Sequence, residues 1–193
     1  MPTPDTRQVI LDTAQEIMAR KGYAAVGLAE VLKTADVPKG SFYHWFPSKD
    51  AFGEALIKSY FDAYLASIDG ILADADKDGA ARLTEYWQRF YNLQRLEDGQ
   101  GRCLVVKLAA EVSDLSETMR MQLKVGTAGI VSRLEHMITT GVADGSLSIN
   151  DTPRRVAEEL YDAWLGASIM AKIQRTPDSL DRVMSLTRSR LHD

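Results

Sequence analysis

The stretch VPKGSFYHWFPSKDAF, residues 37 to 52, gathers the side chains of this sequence best suited to meeting a polyanion. Lys39 and Lys49 carry ammonium groups, Ser41 and Tyr43 carry hydroxyls, His44 adds an imidazole, and Phe42, Trp45 and Phe46 add apolar rings. Lysines and hydroxyls donate to phosphate oxygens, polar side chains reach base edges, and rings pack on sugar or on the thymine methyl. A plainer reading stays open on residues alone. Rings at helical spacing usually face a core, so most of Phe42, Tyr43, Trp45 and Phe46 are expected to pack inward, Phe42 and Phe46 first. Ser48 is then an ordinary helix cap.

The second candidate is a thiol. Cys103 is the one cysteine, which rules out an internal disulfide and confines any thiol chemistry to a single sulfur. Gly99 and Gly101 break the chain ahead of it, so it is expected in the first turn of a helix, with Arg102 adjacent and Lys107 four residues on. Cations and the positive end of a helix favour the thiolate, the nucleophilic form. Cysteine is also among the most commonly buried residue types, and inert packing stays open. Trp87, Phe90, Tyr91 and Trp164 either line an apolar cavity near Cys103 or fill the core outright. Catalysis finds little footing. His44, His136 and His192 lie far apart, no HExxH or Cys-His metal spacing occurs, and nothing brings Cys103 and His136 together. The expectation is a chain that is not an enzyme and needs no cofactor.

The elements that must position these groups are helices. The chain has 193 residues, 45% of them apolar, enough for a substantial core in one large domain or in a small one joined to a larger. No stretch approaches the roughly 20 apolar residues of a bilayer span, and MPTPDTRQ lacks the order of a signal peptide, so a cytoplasmic protein without a membrane partner is expected. Residues 1 to 50 balance six basic against six acidic side chains, and the net −4 therefore resides in residues 51 to 193. Apolar residues recur at helical spacing and strict alternation is lacking, which makes the fold all-α. Val9, Ile10, Ala14, Ile17 and Met18 mark the buried face of a first helix closed by Lys21-Gly22. A short helix over 28–34, a turn at Ala35-Asp36-Val37, and another short helix over 40–45 behind Pro38 follow.

Ser48 caps a long helix to about Ala73; DADKDG (74–79) and EDGQG (97–101) are polar breaks, and a helix over 102–112 follows the second. Asp114 with Glu117 suggests a capping box opening a long helix that ends at Asp144-Gly145. Thr152-Pro153 and Thr176-Pro177 suggest two more helix starts, for about nine helices in all. Helix, three-residue turn, helix is the arrangement that places a recognition helix in the DNA major groove. There Lys39 and Ser41 approach base edges or phosphate, Tyr43 and His44 supply hydrogen bonds, and Lys49 clamps a phosphate at the next helix start.

Residues 22 to 52, GYAAVGLAEVLKTADVPKGSFYHWFPSKDAF, resemble the DNA-binding region of the TetR family of transcriptional repressors. Gly40, Ser41, Phe42, Tyr43, His44, Trp45, Phe46, Ser48 and Lys49 follow the family's Gly-Ser/Thr-aromatic-Tyr-aromatic-aromatic-Phe-x-Ser/Asn-Lys block in order. Val26 and Gly27 depart from hydroxyl residues common in the family, and Pro38 departs from a common Ser. The resemblance implies nine helices, three in a DNA-binding domain over 1–50 and six in a ligand-sensing and dimerisation domain over 51–193. It also implies double-stranded operator DNA, a small-molecule inducer and a second copy of the chain as partners. The dimer would form through the last two helices, 153–173 and 178–191, where Gly166, Ala167, Ser168 and Ala171 permit close approach.

A narrower resemblance joins GRCLVVKLAAEVSDLSETMR (101–120) and WLGASIMAKIQR (164–175) to the TetR subgroup that includes the repressor of the N-ethylmaleimide reductase operon and the acrylate-responsive repressors. Cys103 falls in the subgroup's Cys-Leu-Val run and Lys172 in its Ala-Lys pair. The resemblance implies a response to electrophiles, oxidants or small unsaturated acids, with Lys172 as partner of the thiol. The function expected is a repressor that releases its operator when such a compound acts on the C-terminal domain through Cys103. Two alternatives stand beside it: induction by a reversible ligand with Cys103 merely structural, and a helical interaction module without DNA affinity.

Overall fold

A computed structural model describes residues 5–95 and 103–192, and within them the chain forms nine helices and one isolated β-bridge, Ser148 to His192. In order they are α1 (Thr6–Lys21), α2 (Leu28–Thr34), α3 (Lys39–Trp45), α4 (Lys49–Leu72), α5 (Gly79–Gln94), α6 (Leu104–Leu115), α7 (Glu117–Asp144), α8 (Pro153–Gln174) and α9 (Asp178–Arg190). The all-α expectation is met. Among the described residues the chain divides into two compact units: 5–63 with 103–126, and 64–95 with 127–192.

The first unit takes in α1 to α3, the first part of α4, α6 and the first part of α7. In α1 the buried stripe is Ile10, Leu11, Ala14, Ile17 and Met18, and Val9 is only half-buried. Gly22 ends this helix at φ 89°, a left-handed angle that glycine adopts without strain, and its N–H bonds the Met18 carbonyl at 2.9 Å. Asp36 takes φ 53° in the turn between α2 and α3, as a short polar side chain can. Ser48 caps α4, its Oγ accepting from the Ala51 N–H at 3.0 Å. The expected capping box at Asp114 does not form. Asp114 belongs to α6, and Ser116 stands ahead of α7 with its hydroxyl facing the Met119 N–H at 3.4 Å. Two side-chain bonds then fasten α7 to α4: Thr118 Oγ1 donates to Asp50 at 3.0 Å, and Gln122 to Glu54 at 3.2 Å.

The second unit takes in the remainder of α4 and α7 with α5, α8 and α9. Asp78 caps α5, and Gly79 lies so close to α7 that a Cβ there would stand 2.2 Å from the Gly141 backbone. Asp144 completes this junction: the Ser146 side chain first, then the Gly79 and Ser146 N–H groups from which it accepts, hold its carboxyl below the usual aspartate range. Arg133 grips Asp69 with two bonds of 2.7 Å. Thr152 caps α8 with Pro153 as its first residue, as expected. The second expected cap is displaced by one residue, because Pro177 rather than Thr176 precedes α9 and contributes no side-chain bond. The expected break over 97–101 and the expected helix start at Arg102 lie outside the described residues; α6 itself begins at Leu104 and runs to Leu115, past the expected Val112.

Candidate DNA-binding face and buried thiol

Helical periodicity sorts the residues of α3 onto two sides. Phe42 and Phe46, one turn apart, are 1% and 2% exposed, and with Phe52 of α4 they form a triangle of rings with centroids 5.1 to 5.2 Å apart. Burying each such ring stabilises the fold by roughly 1.5–3 kcal/mol, so this cluster is the base on which α3 sits. The opposite side carries Lys39, Gly40, Tyr43, His44 and Trp45, all exposed, with Ser41 half-buried. Tyr43 is 55% exposed and Trp45 40%, so the expectation that most of the four rings pack inward holds for two of them only. A Cβ on Gly40 would meet nothing within 4 Å, which leaves backbone open to close approach from outside. Pro38 precedes α3 in extended conformation without a side-chain cap bond, and Gly27 does the same for α2.

Lys49 opens α4 at the edge of this face. Its Nζ lies 5.2 Å from the centre of the Tyr23 ring, and its carbonyl accepts from the Tyr23 hydroxyl at 3.1 Å. Burial, then the carboxylates of Asp50 and Glu111, push the Tyr23 phenol up to about 12. Glu111 comes from α6 and takes the backbone N–H groups of both Tyr23 (3.0 Å) and Ala24 (2.5 Å). Neither Tyr23 nor Glu111 stands out in the sequence as part of a site; the place of Tyr23 at the start of the family-like segment 22 to 52 is the one signal available.

Cys103 is buried, 3% exposed, and precedes α6 as its cap residue rather than lying inside its first turn. Its thiol makes no cap bond to the helix; the Tyr60 hydroxyl of α4 points at Sγ from 3.8 Å. Lys107 does follow one turn later, but its side chain leads to Gly22, whose Cβ would lie 3.8 Å from Lys107 Cε. Arg102, Gly99 and Gly101 fall outside the described residues. Cys103 thus shares the first unit with α3 and Lys49.

The other expected sensing residues belong to the second unit. Trp87 and Trp164 stack at 4.9 Å with an 8° interplanar angle, both are buried, and Phe90 meets Trp164 edge-on. The Trp164 indole donates to Thr187 Oγ1 at 2.9 Å. Tyr91 hydrogen-bonds Asp181, which raises its phenol pKa. These rings fill a core instead of lining a cavity together. A pocket of about 210 Å³ does exist in this unit, between α4 and α5, and of the four predicted rings it takes Phe90, beside Tyr64, Ile68, Ile71 and Tyr86. Trp87 Nε1 and both polar atoms of the Gln94 amide are buried without a partner among the described residues. Lys172 lies in the last turn of α8. No group of three or more metal-ligating side chains occurs among the described residues.

A short helix with a polar outer side, seated on buried rings behind a tight turn, defines α2 and α3 as a helix-turn-helix. Comparison with known proteins agrees. Residues 10–56 match the family model described as bacterial regulatory proteins, tetR family, and residues 79–187 match a tetracyclin repressor-like C-terminal domain. The HTH-type transcriptional repressor NemR of Escherichia coli (strain K12) is 37% identical over 181 residues, covering 94% of this chain and 91% of the relative. The transcriptional regulator AcuR of Cereibacter sphaeroides is 33% identical, covering 90% and 79%. The crystal structure of reduced E. coli NemR superposes with a TM-score of 0.91 over 97% of both chains. The chain belongs to the TetR family of bacterial transcriptional regulators.

Proposed function

We propose that this chain is a dimeric repressor that holds duplex operator DNA through α3 and releases it when a small electrophile or oxidant acts on Cys103. The observation that carries the reading is the division of α3, with Phe42 and Phe46 sunk in the core and Lys39, Tyr43, His44 and Trp45 facing outward. Residues 1–50 are the DNA-binding part. In a major groove Lys39, Ser41, Tyr43 and His44 read base edges, and Lys49 neutralises a phosphate. A second copy supports the two-fold reading of an operator. For it, α8 offers an exposed stripe of Gly166, Ile169, Met170 and Ile173 at helical spacing. Of the small residues expected there, Ser168 is buried and donates to the Trp164 carbonyl within its own subunit. Such a protein works where bacterial DNA is, in the cytoplasm.

Release follows from packing inside the first unit. Addition of the Cys103 sulfur to an activated alkene forms one S–C bond, breaks the alkene π bond and moves the thiol proton to the neighbouring carbon. The added group has no space in a close-packed layer, so its neighbours shift. Tyr60, which touches the thiol, belongs to α4, and the Phe52 of that helix lies against Phe42 and Phe46. A role for Lys172 in the response rests on the resemblance, and one for Lys107 rests on its place one turn after Cys103. Treating wild type and Cys103→Ser with N-ethylmaleimide and measuring release of a duplex selected by the wild type tests this route. Release from wild type with retention by Cys103→Ser is expected. Equal release from both sinks the thiol route and leaves a reversible ligand in the second unit, the reading favoured by its pocket and by the Gln94 and Trp87 groups that lack a partner among the described residues.

A further inference from the structure

We propose that Glu111 is a positioning residue for the phosphate clamp: through Tyr23 it holds Lys49 in place, so that α6 sets part of the DNA affinity without touching DNA. The inference rests on Lys49 being a phosphate contact. Three links make up the relay, all inside the first unit. Glu111 accepts two backbone N–H groups, of Tyr23 and Ala24, from 88 and 87 residues away in sequence. Hydrogen bonds to an ionised carboxylate are about twice as strong as neutral ones, and two on one carboxylate fix the turn between α1 and α2 in position and rotation. Tyr23, fixed by that turn, gives its hydroxyl to the Lys49 carbonyl at 3.1 Å and places its ring 5.2 Å below the Lys49 ammonium. The lysine backbone and its charge are thus both held by one ring.

Two further features suit the arrangement. Gly22 precedes the clamped amides at φ 89°, an angle that favours glycine, and a Cβ there would stand 3.1 Å from the Glu111 carboxylate, a tight contact. Lys49 makes none of the ion pairs found among the described residues, which leaves its ammonium, steadied on the ring, available to an outside anion. Because α6 begins just after Cys103, a displacement of that helix reaches Lys49 through the same three links.

The readout is the salt dependence of DNA binding, since a merely structural residue lowers melting temperature without changing the number of phosphates neutralised. Dissociation constants would be measured against potassium chloride for wild type, Glu111→Gln, Glu111→Ala, Lys49→Ala and the Lys49→Ala/Glu111→Ala double variant. The probe is a duplex the wild type selects from a random pool, and folding is checked by melting. Lys49→Ala should reduce the salt slope by about 0.9, the share of one phosphate. Folded Glu111→Ala should lose a comparable share and about tenfold in affinity, with Glu111→Gln between it and wild type, and should cost less than about twofold more in the Lys49→Ala background. If Glu111→Ala binds with wild-type slope, or if its loss simply adds to that of Lys49→Ala, the relay is wrong. If Lys49→Ala leaves the slope untouched, the clamp itself fails and the relay falls with it, a result told apart by that single variant. Should Glu111→Ala fail to fold, Glu111→Gln carries the same comparison.

Discussion

Single side chains in this protein divide into those that hold a helix and those that hold out a group. Phe42 and Tyr43 are neighbours in sequence and opposite in role, one sealed in the core and the other more than half exposed at 55%. Changes at Lys39 or Tyr43 should therefore alter which duplex is preferred, while Lys49→Ala should weaken all duplexes alike, as competition binding against sequence variants will show. Tyr23 predicts a pH dependence. Its folded-state phenol pKa lies near 12, above the ordinary 10.0, so the protonated form supports the fold fully below pH 10 and that support is lost as pH rises through about 12. Tyr23→Phe lacks the bond to the Lys49 carbonyl and should melt lower below pH 10, by roughly 0.5–1.5 kcal/mol. The gap should narrow and close toward pH 12, and a constant gap would show that the phenol does not titrate with folding. The sequence exposed the outward residues of α3 through their chemistry. It hid Glu111, because the contact that matters joins residues 88 apart, and nothing in local spacing reports such a meeting.

Helices were the most legible level, and the reasons are local. The Gly22 end of α1, the Ser48 cap of α4 and the Thr152-Pro153 start of α8 are each written in two or three adjacent residues, and each stands as expected. The misplaced starts came from carboxylates and hydroxyls that match a cap pattern yet lie inside or outside the turn: Asp114 within α6, and Thr176 one residue early. The aromatic set stayed open between a cavity and a filled core for another reason. Spacing puts Trp87, Phe90 and Trp164 on inward faces but cannot say whether rings meet, and here Trp87 and Trp164 stack face to face. Close approaches between helices also give predictions. Gly79→Ala would press a methyl into the α7 backbone at Gly141 and should destabilise the protein by about 1–3 kcal/mol, read as a lower melting temperature. Gln94→Leu should act oppositely, raising stability by about 1–2 kcal/mol by removing a buried amide that has no partner among the described residues. A fall in stability there would show that the amide is satisfied in solution.

Across the whole chain, the division into two compact units groups Cys103 with the helix-turn-helix, so the thiol and α3 share one packed body. The family-like motifs announced both features separately; their grouping depends on the fold and could not be read from positions 42 and 103 in the chain. The second unit keeps the exposed α8 stripe, and Ile173, 68% exposed, is the most open of its three large apolar side chains. Ile169→Glu with Ile173→Glu should shift the protein toward monomer in light scattering and weaken duplex binding, because one α3 alone meets one half-site. The most direct test of the account is selection from a random duplex pool by the wild type and by Tyr43→Ala. The account predicts that the wild type enriches a partly palindromic sequence with half-sites about 34–36 Å apart or a multiple of it, and that Tyr43→Ala shifts the bases preferred within each half-site. Absence of enrichment by the wild type, or an identical preference from both proteins, would contradict the assignment of α3 as the element that reads DNA.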